Sequence, residues 1–236
     1  MKKEILIPTC VKESLQRRGR LLQEENRGDE NPDNTPINEA PEMPQIQPEE
    51  DAINQEPITN TPANENKNLA PNLNDFQYRN DVPYPEITNA FPSLFEVKQL
   101  KWLNYGRNGE LTAINTYLYQ YFVLKNDFPE LANALREISV VEMEHFERLG
   151  DAIVLFGGNP NLTDGRGNVW TGRNVALLNR PREILIANIK AEEKAICEYQ
   201  KAAARTQNQS LRELFERIIQ DEQNHIMIFN ELLARV

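Results

Sequence analysis

The sequence has few of the residues that mark several common protein classes. Its two cysteines, Cys10 and Cys197, form no Cys-x-x-Cys pair, so neither a disulfide framework nor a cysteine-based metal site is expected. No run approaches the roughly 18 consecutive apolar residues that a membrane-spanning helix needs, and the apolar run within residues 1–10 is too short for a secretion signal. Basic residues form no cluster that would neutralise nucleic acid or an anionic membrane. We therefore expect a cytoplasmic protein with no nucleic acid or membrane partner.

Proline and acidic residues are concentrated in the first part of the chain. Residues 1–92 hold 12 of the 15 prolines, together with 17 acidic and 9 basic residues, which give −8 of the total charge of −10. Such a segment cannot bury enough apolar surface to offset the entropy lost on ordering. The sequence therefore predicts a disordered tail at 1–92 and a nearly neutral folded domain at 93–236.

Four long segments of the predicted domain show helical periodicity. These segments are 94–125, 129–156, 181–206 and 210–236, and apolar residues recur in each with the spacing of one helix face. Two of the connections are short, whereas the third, at 159–180, is long and rich in glycine and asparagine. Two short turns and one long crossover predict an all-α, antiparallel four-helix bundle.

Only two histidines occur in the chain, and each follows a glutamate by three residues. The pairs are Glu142 with His145 and Glu222 with His225, and both lie in predicted helices. Residues three apart share one helix face, so each pair presents a carboxylate and an imidazole to a common point. Two such pairs in one bundle are typical of a carboxylate-bridged pair of metal ions.

An internal repeat relates the two halves of the predicted bundle. Residues 110–117 and 192–199 both read E-x-x-A-I-x-x-Y, and residues 138–145 and 218–225 both read I-x-x-x-E-x-x-H. A repeat of this kind predicts two copies of one helical hairpin, related by a pseudo-twofold axis. Each half therefore contributes one further glutamate at an equivalent position.

The repeat adds Glu110 and Glu192 to the two Glu-x-x-His pairs, and it favours Glu192 over the neighbouring Glu193. Each of two metal ions would take one of these terminal carboxylates and one imidazole, while the glutamates of the pairs would bridge the ions. Four carboxylates balance two divalent cations, which avoids uncompensated charge in the core. Mixed carboxylate and imidazole ligands suit iron or manganese. The predicted ligands, which are also the predicted catalytic residues, are Glu110, Glu142, His145, Glu192, Glu222 and His225.

Simpler interpretations exist for several of these residues. Either Glu-x-x-His pair taken alone is compatible with a solvated pair on a helix surface. Tyr117 and Tyr199, at equivalent positions in the repeat, are compatible with core packing as well as with contact to the ligand carboxylates. Asp221 would either orient a ligand histidine or be exposed. Its counterpart in the first half is Val141, so support from Asp221 would be asymmetric.

The domain resembles the ferritin-like di-metal carboxylate superfamily, which includes bacterioferritins, rubrerythrins, manganese catalases and related spore coat proteins. Residues 109–117, 142–145, 157–162 and 221–225 are similar to bacterioferritin segments in order and spacing. Residues 188–192 and Tyr199, together with residues 109–110 and 117–120, are also similar to manganese catalase and its spore coat relatives. The resemblance covers the predicted domain and does not extend to the tail.

The resemblance implies a dinuclear iron or manganese centre that acts on peroxide or dioxygen. An iron form would be a ferroxidase or peroxidase, and a manganese form would be a catalase. The resemblance also implies a homo-oligomer, at least a dimer. Two alternatives stay open: iron binding and storage of the bacterioferritin kind, and a structural role of the spore coat kind, which would make the protein spore-associated.

Departures from the family pattern bear on these alternatives. The chain ends eleven residues after His225, where cage-forming ferritins continue, so a large storage shell is not expected. Met143 occupies the position at which bacterioferritins place a haem-ligating methionine, but methionine also commonly fills interfaces. Haem is therefore the less favoured cofactor. The connection at 159–180 is longer than that of bacterioferritins and is expected to extend over the site or a neighbouring subunit.

Overall fold

The computed structural model describes residues 76–236, and the described part is helical, as predicted. The helices are α1 (Leu94–Tyr105), α2 (Glu110–Leu124), α3 (Pro129–Leu155), α4 (Pro181–Arg205) and α5 (Gln209–Leu233). A 3-10 turn lies in the crossover between α3 and α4. Within the described chain there is no strand element, and no helix has the length and apolar character needed to span a bilayer.

The segment 94–125, predicted to be one helix, forms two helices, because the chain turns between α1 and α2. A side chain at Gly106 would collide with the Trp102 carbonyl, and one at Gly109 would collide with the Leu103 carbonyl. Glycine therefore allows the close backbone approach that this turn requires. The turn makes Glu110 the first residue of α2, which fixes where its carboxylate enters the bundle.

Two helical hairpins form the bundle, as the repeat predicts. Helix α2 packs against α3, and α4 packs against α5. Pro129 and Pro181 begin α3 and α4 at positions where the missing N–H group costs no helical hydrogen bond. The Asn208 side chain caps α5 by accepting a hydrogen bond from the Leu211 N–H at 2.9 Å.

The apolar core consists of two clusters at different levels of the bundle. The first includes Leu100, Leu149 and Phe215, and the second includes Leu135, Ile184 and Phe229. These large side chains are essentially inaccessible to solvent. Burial of such surface contributes about 25 cal/mol per Å² to stability. Several buried carboxylates and both histidines share this interior, so their polar atoms need partners other than bulk water.

Residues 76–92, which we name the strap, pack against the bundle rather than extending away from it. Tyr84 and Ile87 contact the first apolar cluster. The Arg217 guanidinium donates to the Val82 carbonyl at 2.5 Å, and the Ser210 hydroxyl accepts from the Thr88 N–H at 2.9 Å. The structure therefore differs from the expected tail in this stretch, because the strap finds apolar and polar partners that are distant in sequence. The rest of the predicted tail lies outside the described residues.

The long crossover between α3 and α4 folds back on α2. Asp164 accepts hydrogen bonds from the backbone N–H groups of Arg166 and Asn168 at 2.8 and 2.9 Å, which closes a turn. The Trp170 indole donates to the Thr112 hydroxyl at 2.9 Å. The crossover therefore lies beside the part of α2 that carries Glu110.

Candidate metal centre

The structure brings all six predicted ligands together in the bundle interior. Glu110 begins α2, and Glu192 lies near the middle of α4. The two Glu-x-x-His pairs lie on α3 and α5 with both members of each pair facing inward. All six residues are at most 4% exposed, namely Glu110, Glu142, His145, Glu192, Glu222 and His225. By contrast, Glu193, which competed with Glu192 in the sequence, is exposed.

The six residues form two overlapping groups of four. In each group, one potential ligand atom from every residue lies within 4.8 Å of the others. Both groups contain Glu142 and Glu222, which is the arrangement expected of two bridging carboxylates. Glu110 and His145 complete the first group, and Glu192 and His225 complete the second. The two groups have the composition predicted from the repeat, and the terminal and bridging roles stay a prediction.

Both histidines direct the same ring nitrogen towards the carboxylates. The Nδ1 atom of His145 lies 3.0 Å from Glu142 and 3.4 Å from Glu222. The Nδ1 atom of His225 lies 3.1 Å from each of the same two glutamates. A metal ion between these atoms would therefore be held through Nδ1, with Nε2 facing the surrounding protein.

Burial and mutual repulsion perturb the ionisation of the carboxylates. Burial, reinforced by the charges of Glu222 and Glu192, raises the pKa of Glu142 well above its usual range. Burial likewise raises the pKa of Glu192 to about 7. Glu222 is the exception. Burial alone would raise its pKa, but attraction from His145 and His225 lowers the pKa of this glutamate to about 2.

The pKa values of both histidines are shifted in the direction opposite to that expected from burial alone. Burial disfavours the imidazolium, but the charge of Glu222 and a hydrogen bond to Asp221 raise the pKa of His145. The pKa of His225 is raised against burial by Glu142, with further hydrogen bonds to Glu192 and Glu222. In the absence of a metal ion, protons therefore supply the positive charge that the buried carboxylates require.

The donor set fits a pair of divalent cations. Four buried carboxylates carry the charge that two such ions neutralise, and isolated buried charge is costly. Oxygen ligands combined with one imidazole per ion suit iron or manganese, whereas calcium takes oxygen ligands. The protein therefore offers two adjacent positions with equal numbers of donors.

Tyr117 and Tyr199 combine core packing with contact to the terminal glutamates. Each is 1% exposed. The Tyr117 hydroxyl donates to Glu192 at 2.5 Å, and the Tyr199 hydroxyl donates to Glu110. Burial, followed by the nearby carboxylate charge, raises the pKa of both phenols, so they remain protonated donors. Each tyrosine thus holds a carboxylate that belongs to the other half of the repeat.

Asp221 contacts His145 across the bundle. Its carboxylate lies 3.1 Å from the His145 Nε2 atom, which agrees with the orienting role weighed from the sequence. The same carboxylate accepts from the Asn80 N–H and the Tyr84 hydroxyl, both at 2.6 Å, and lies 2.7 Å from the Arg217 guanidinium. Sequence reasoning missed these three partners. Only Arg217, four residues before Asp221 on the same helix face, was detectable from spacing.

A cavity of about 240 Å³ connects the surface with the buried carboxylates. It runs from the exposed residues Arg107 and Asn108 to Glu222. Short side chains on α2 and α4 line much of it, namely Thr112, Ala113, Thr116, Ala187, Ala191 and Ala195. A cavity of this size has room for a small molecule, because it is below the range of typical sites for drug-sized ligands.

Met143, the position that suggested haem, is 38% exposed on α3, whereas the six ligands are buried. Val140, three residues earlier on α3, is also exposed. The two side chains therefore form an apolar patch on one face of this helix. That haem is the less favoured cofactor stays a prediction.

The chain is similar to known ferritin-like proteins, among them bacterioferritins and manganese catalases. A family model described as the ferritin-like domain matches residues 100–236. A bacterioferritin from Desulfovibrio desulfuricans is 31% identical over 142 residues, which are 60% of this chain and 77% of the relative. A probable manganese catalase from Clostridium acetobutylicum is 25% identical over 152 residues, 56% of this chain and 67% of the relative. The crystal structure of a manganese catalase from Anabaena PCC7120 superposes with a TM-score of 0.60 at 21% identity, covering 66% of this chain and 79% of the other.

Proposed function

Because the chain belongs to the ferritin-like domain family, we propose that it is a dinuclear iron or manganese oxidoreductase acting on peroxide or dioxygen. The observation that carries this proposal is the pair of overlapping four-residue groups, which share Glu142 and Glu222 inside an apolar bundle. Burying these carboxylates costs free energy when no cation is bound, and two bound cations would neutralise their charge.

In this proposal each half of the repeat serves one ion. Glu110 and His145 would hold one ion, Glu192 and His225 would hold the other, and Glu142 with Glu222 would contribute to both. Each histidine would bind through Nδ1, because this atom faces the carboxylates in both cases. Two ions that share carboxylates would together exchange two electrons with a peroxide or dioxygen molecule.

The chain itself supplies orientation and restricted access. Tyr117 and Tyr199 hold the terminal carboxylates in place by hydrogen bonds. Without metal, burial and neighbouring charge raise the pKa of Glu142 well above its usual range, so bound cations would displace a proton from this residue. The cavity beside α2 and α4 supports a small substrate, because its volume of about 240 Å³ is below that of typical sites for drug-sized ligands.

Metal analysis followed by two activity assays tests the proposal. Protein purified without added metal is analysed for iron and manganese, and is then assayed for oxygen evolution from peroxide and for iron oxidation. Manganese with rapid oxygen evolution indicates a catalase, whereas iron with little oxygen evolution indicates a ferroxidase or peroxidase. A protein that binds neither metal, even after reconstitution, contradicts the proposal.

Iron storage is a second candidate, favoured by the identity to the bacterioferritin relative. A storage protein would assemble as a large homo-oligomer and load many irons per subunit. We propose instead a smaller homo-oligomer that holds two ions per subunit. Size-exclusion chromatography with light scattering, combined with an iron-loading assay, separates the two. A large particle that accumulates iron well beyond two per subunit would establish storage.

A further inference from the structure

The strap is hydrogen-bonded to one of the two candidate metal positions. Within it, the Tyr84 hydroxyl and the Asn80 N–H both donate to Asp221 at 2.6 Å. Asp221 in turn lies 3.1 Å from Nε2 of His145, and its side chain is fully buried. A continuous chain of hydrogen bonds thus leads from the strap through α5 to a predicted ligand on α3.

Tyr84 is fixed in this position by more than its hydroxyl. Its ring packs edge-on against the His145 ring, with centroids 6.0 Å apart. The guanidinium groups of Arg217 and Arg148 lie 4.4 and 5.4 Å from the Tyr84 ring centroid. Cations over an aromatic face are attracted to it, so contacts with two arginines and the histidine hold the Tyr84 ring in place.

The second metal position has no equivalent support. Among the described residues, the buried Nε2 atom of His225 has no hydrogen-bond partner. The residue that corresponds to Asp221 in the first half of the repeat is Val141, which is 5% exposed and has no polar side-chain atom. The two positions therefore have the same ligand types and different surroundings.

We propose that Tyr84 is a positioning residue, which acts through Asp221 on His145 and makes the Glu110–His145 position bind metal more tightly than the Glu192–His225 position. This inference rests on the proposed dinuclear function. It adds that the strap, although outside the repeat, forms part of the centre and makes it asymmetric.

The physical basis is the tautomer that each histidine must adopt. Binding through Nδ1 requires the proton of the neutral imidazole to be on Nε2. For His145, that Nε2–H group has an acceptor in Asp221, whose carboxylate is held in place by Tyr84, Asn80 and Arg217. For His225, the same tautomer leaves a buried donor without an acceptor among the described residues. Partners of this outer kind typically change metal affinity by about 10- to 100-fold.

Stepwise metal binding by the full-length protein tests the proposal. Tyr84→Phe removes the hydroxyl that donates to Asp221 and keeps the ring. Tyr105→Phe is the matched control, because its hydroxyl donates at 2.7 Å to the Pro160 carbonyl and not to a residue of the centre. Mn(II) is added to metal-free protein, with binding followed by titration calorimetry and by electron paramagnetic resonance.

We expect two unequal binding steps in the unmodified protein. Tyr84→Phe should weaken the tighter step by about tenfold and leave the weaker step unchanged, whereas Tyr105→Phe should change neither step. At one equivalent of Mn(II), the resonance of isolated ions should be strong in the unmodified protein. It should be smaller in Tyr84→Phe, because the two positions then fill together.

Three results would overturn the proposal while leaving two-metal binding intact. These are unchanged steps in Tyr84→Phe, an equal weakening of both steps, or the same effect in Tyr105→Phe. The last two would show a general loss of stability and no action on His145. If the unmodified protein bound neither Mn(II) nor Fe(II), the dinuclear function itself would fail, and this inference with it.

Discussion

The Tyr117 hydroxyl on α2 donates a hydrogen bond to the Glu192 carboxylate on α4 at 2.5 Å. Tyr199 on α4 makes the reciprocal contact with Glu110 on α2. Glu192 and Glu110 are thus each held by a tyrosine from the other half of the repeat. These two hydrogen bonds connect the two hairpins at the level of the candidate metal centre. The packing of the hairpins and the orientation of the candidate ligands therefore depend on the same residues.

Removal of one of these hydroxyls should affect one metal position. We expect Tyr117→Phe to weaken metal binding at the Glu192 position by about tenfold, because this glutamate loses the donor that orients it. The fold should persist, since the ring still packs against Phe229. Calorimetric metal titration measures the effect. Tyr121→Phe, one turn further along α2, is the control, and equal losses in both variants would argue against an orienting role.

Glu142 should be indispensable because it belongs to both four-residue groups. We expect Glu142→Ala to lose about half of the bound metal or more and nearly all turnover of peroxide, since a bridging position contributes to both ions. His225→Ala should lose metal mainly from its own position. Metal content per subunit and oxygen evolution are the measurements.

The control for these two variants is Glu144→Ala, which removes a carboxylate that is 34% exposed and paired with Arg79 at the surface. This pair should contribute little to stability. Full metal content in both Glu142→Ala and His225→Ala would show that the ligand assignment is incorrect.

The clustering of the six candidate ligands could be predicted from the sequence, because the repeat places these residues on the inward faces of regular helices. Helical spacing alone relates Glu142 to His145, and the repeat relates Glu110 to Glu192. The same reasoning could not predict the turn between α1 and α2. Helical periodicity continues through that region, and the requirement for glycine arises from the Trp102 and Leu103 carbonyls in the folded chain.

The strap could not be predicted for a different reason. Its composition is that of a segment with too little apolar surface to fold by itself. Its order in the structure comes from contacts with Asp221, Arg217 and Ser210, which lie more than 120 residues away in the chain. Neither periodicity nor local composition reports on partners at that separation.

Metal binding should release protons and become weaker as the pH falls. Burial raises the pKa of Glu192 to about 7 and that of Glu142 well above its usual value, and the pKa of both histidines is also raised. Below pH 7 these groups hold protons that a metal ion must displace, so the apparent affinity should increase with pH between about 6 and 8. The dissociation constant should change about tenfold per pH unit for each proton displaced.

Calorimetry in buffers of different ionisation enthalpy counts those protons directly. An affinity that is flat across this pH range, with no proton release, would mean that the carboxylates are already ionised without metal. The Glu142→Ala variant provides an internal comparison, because it should release fewer protons per ion bound.

Access to the centre should depend on the short side chains that line the cavity. Ala113 on α2 contributes to that lining and is only partly exposed. Ala113→Leu adds three carbon atoms to a cavity of about 240 Å³ and should slow peroxide turnover several-fold, because the substrate has less room to reach the carboxylates. Ala204→Leu, on the exposed end of α4, is the matched control and should have no effect. Metal content should be the same in both variants, and kcat/KM for peroxide is the measurement. Turnover in Ala113→Leu equal to that of the control would mean that substrate reaches the centre by another route.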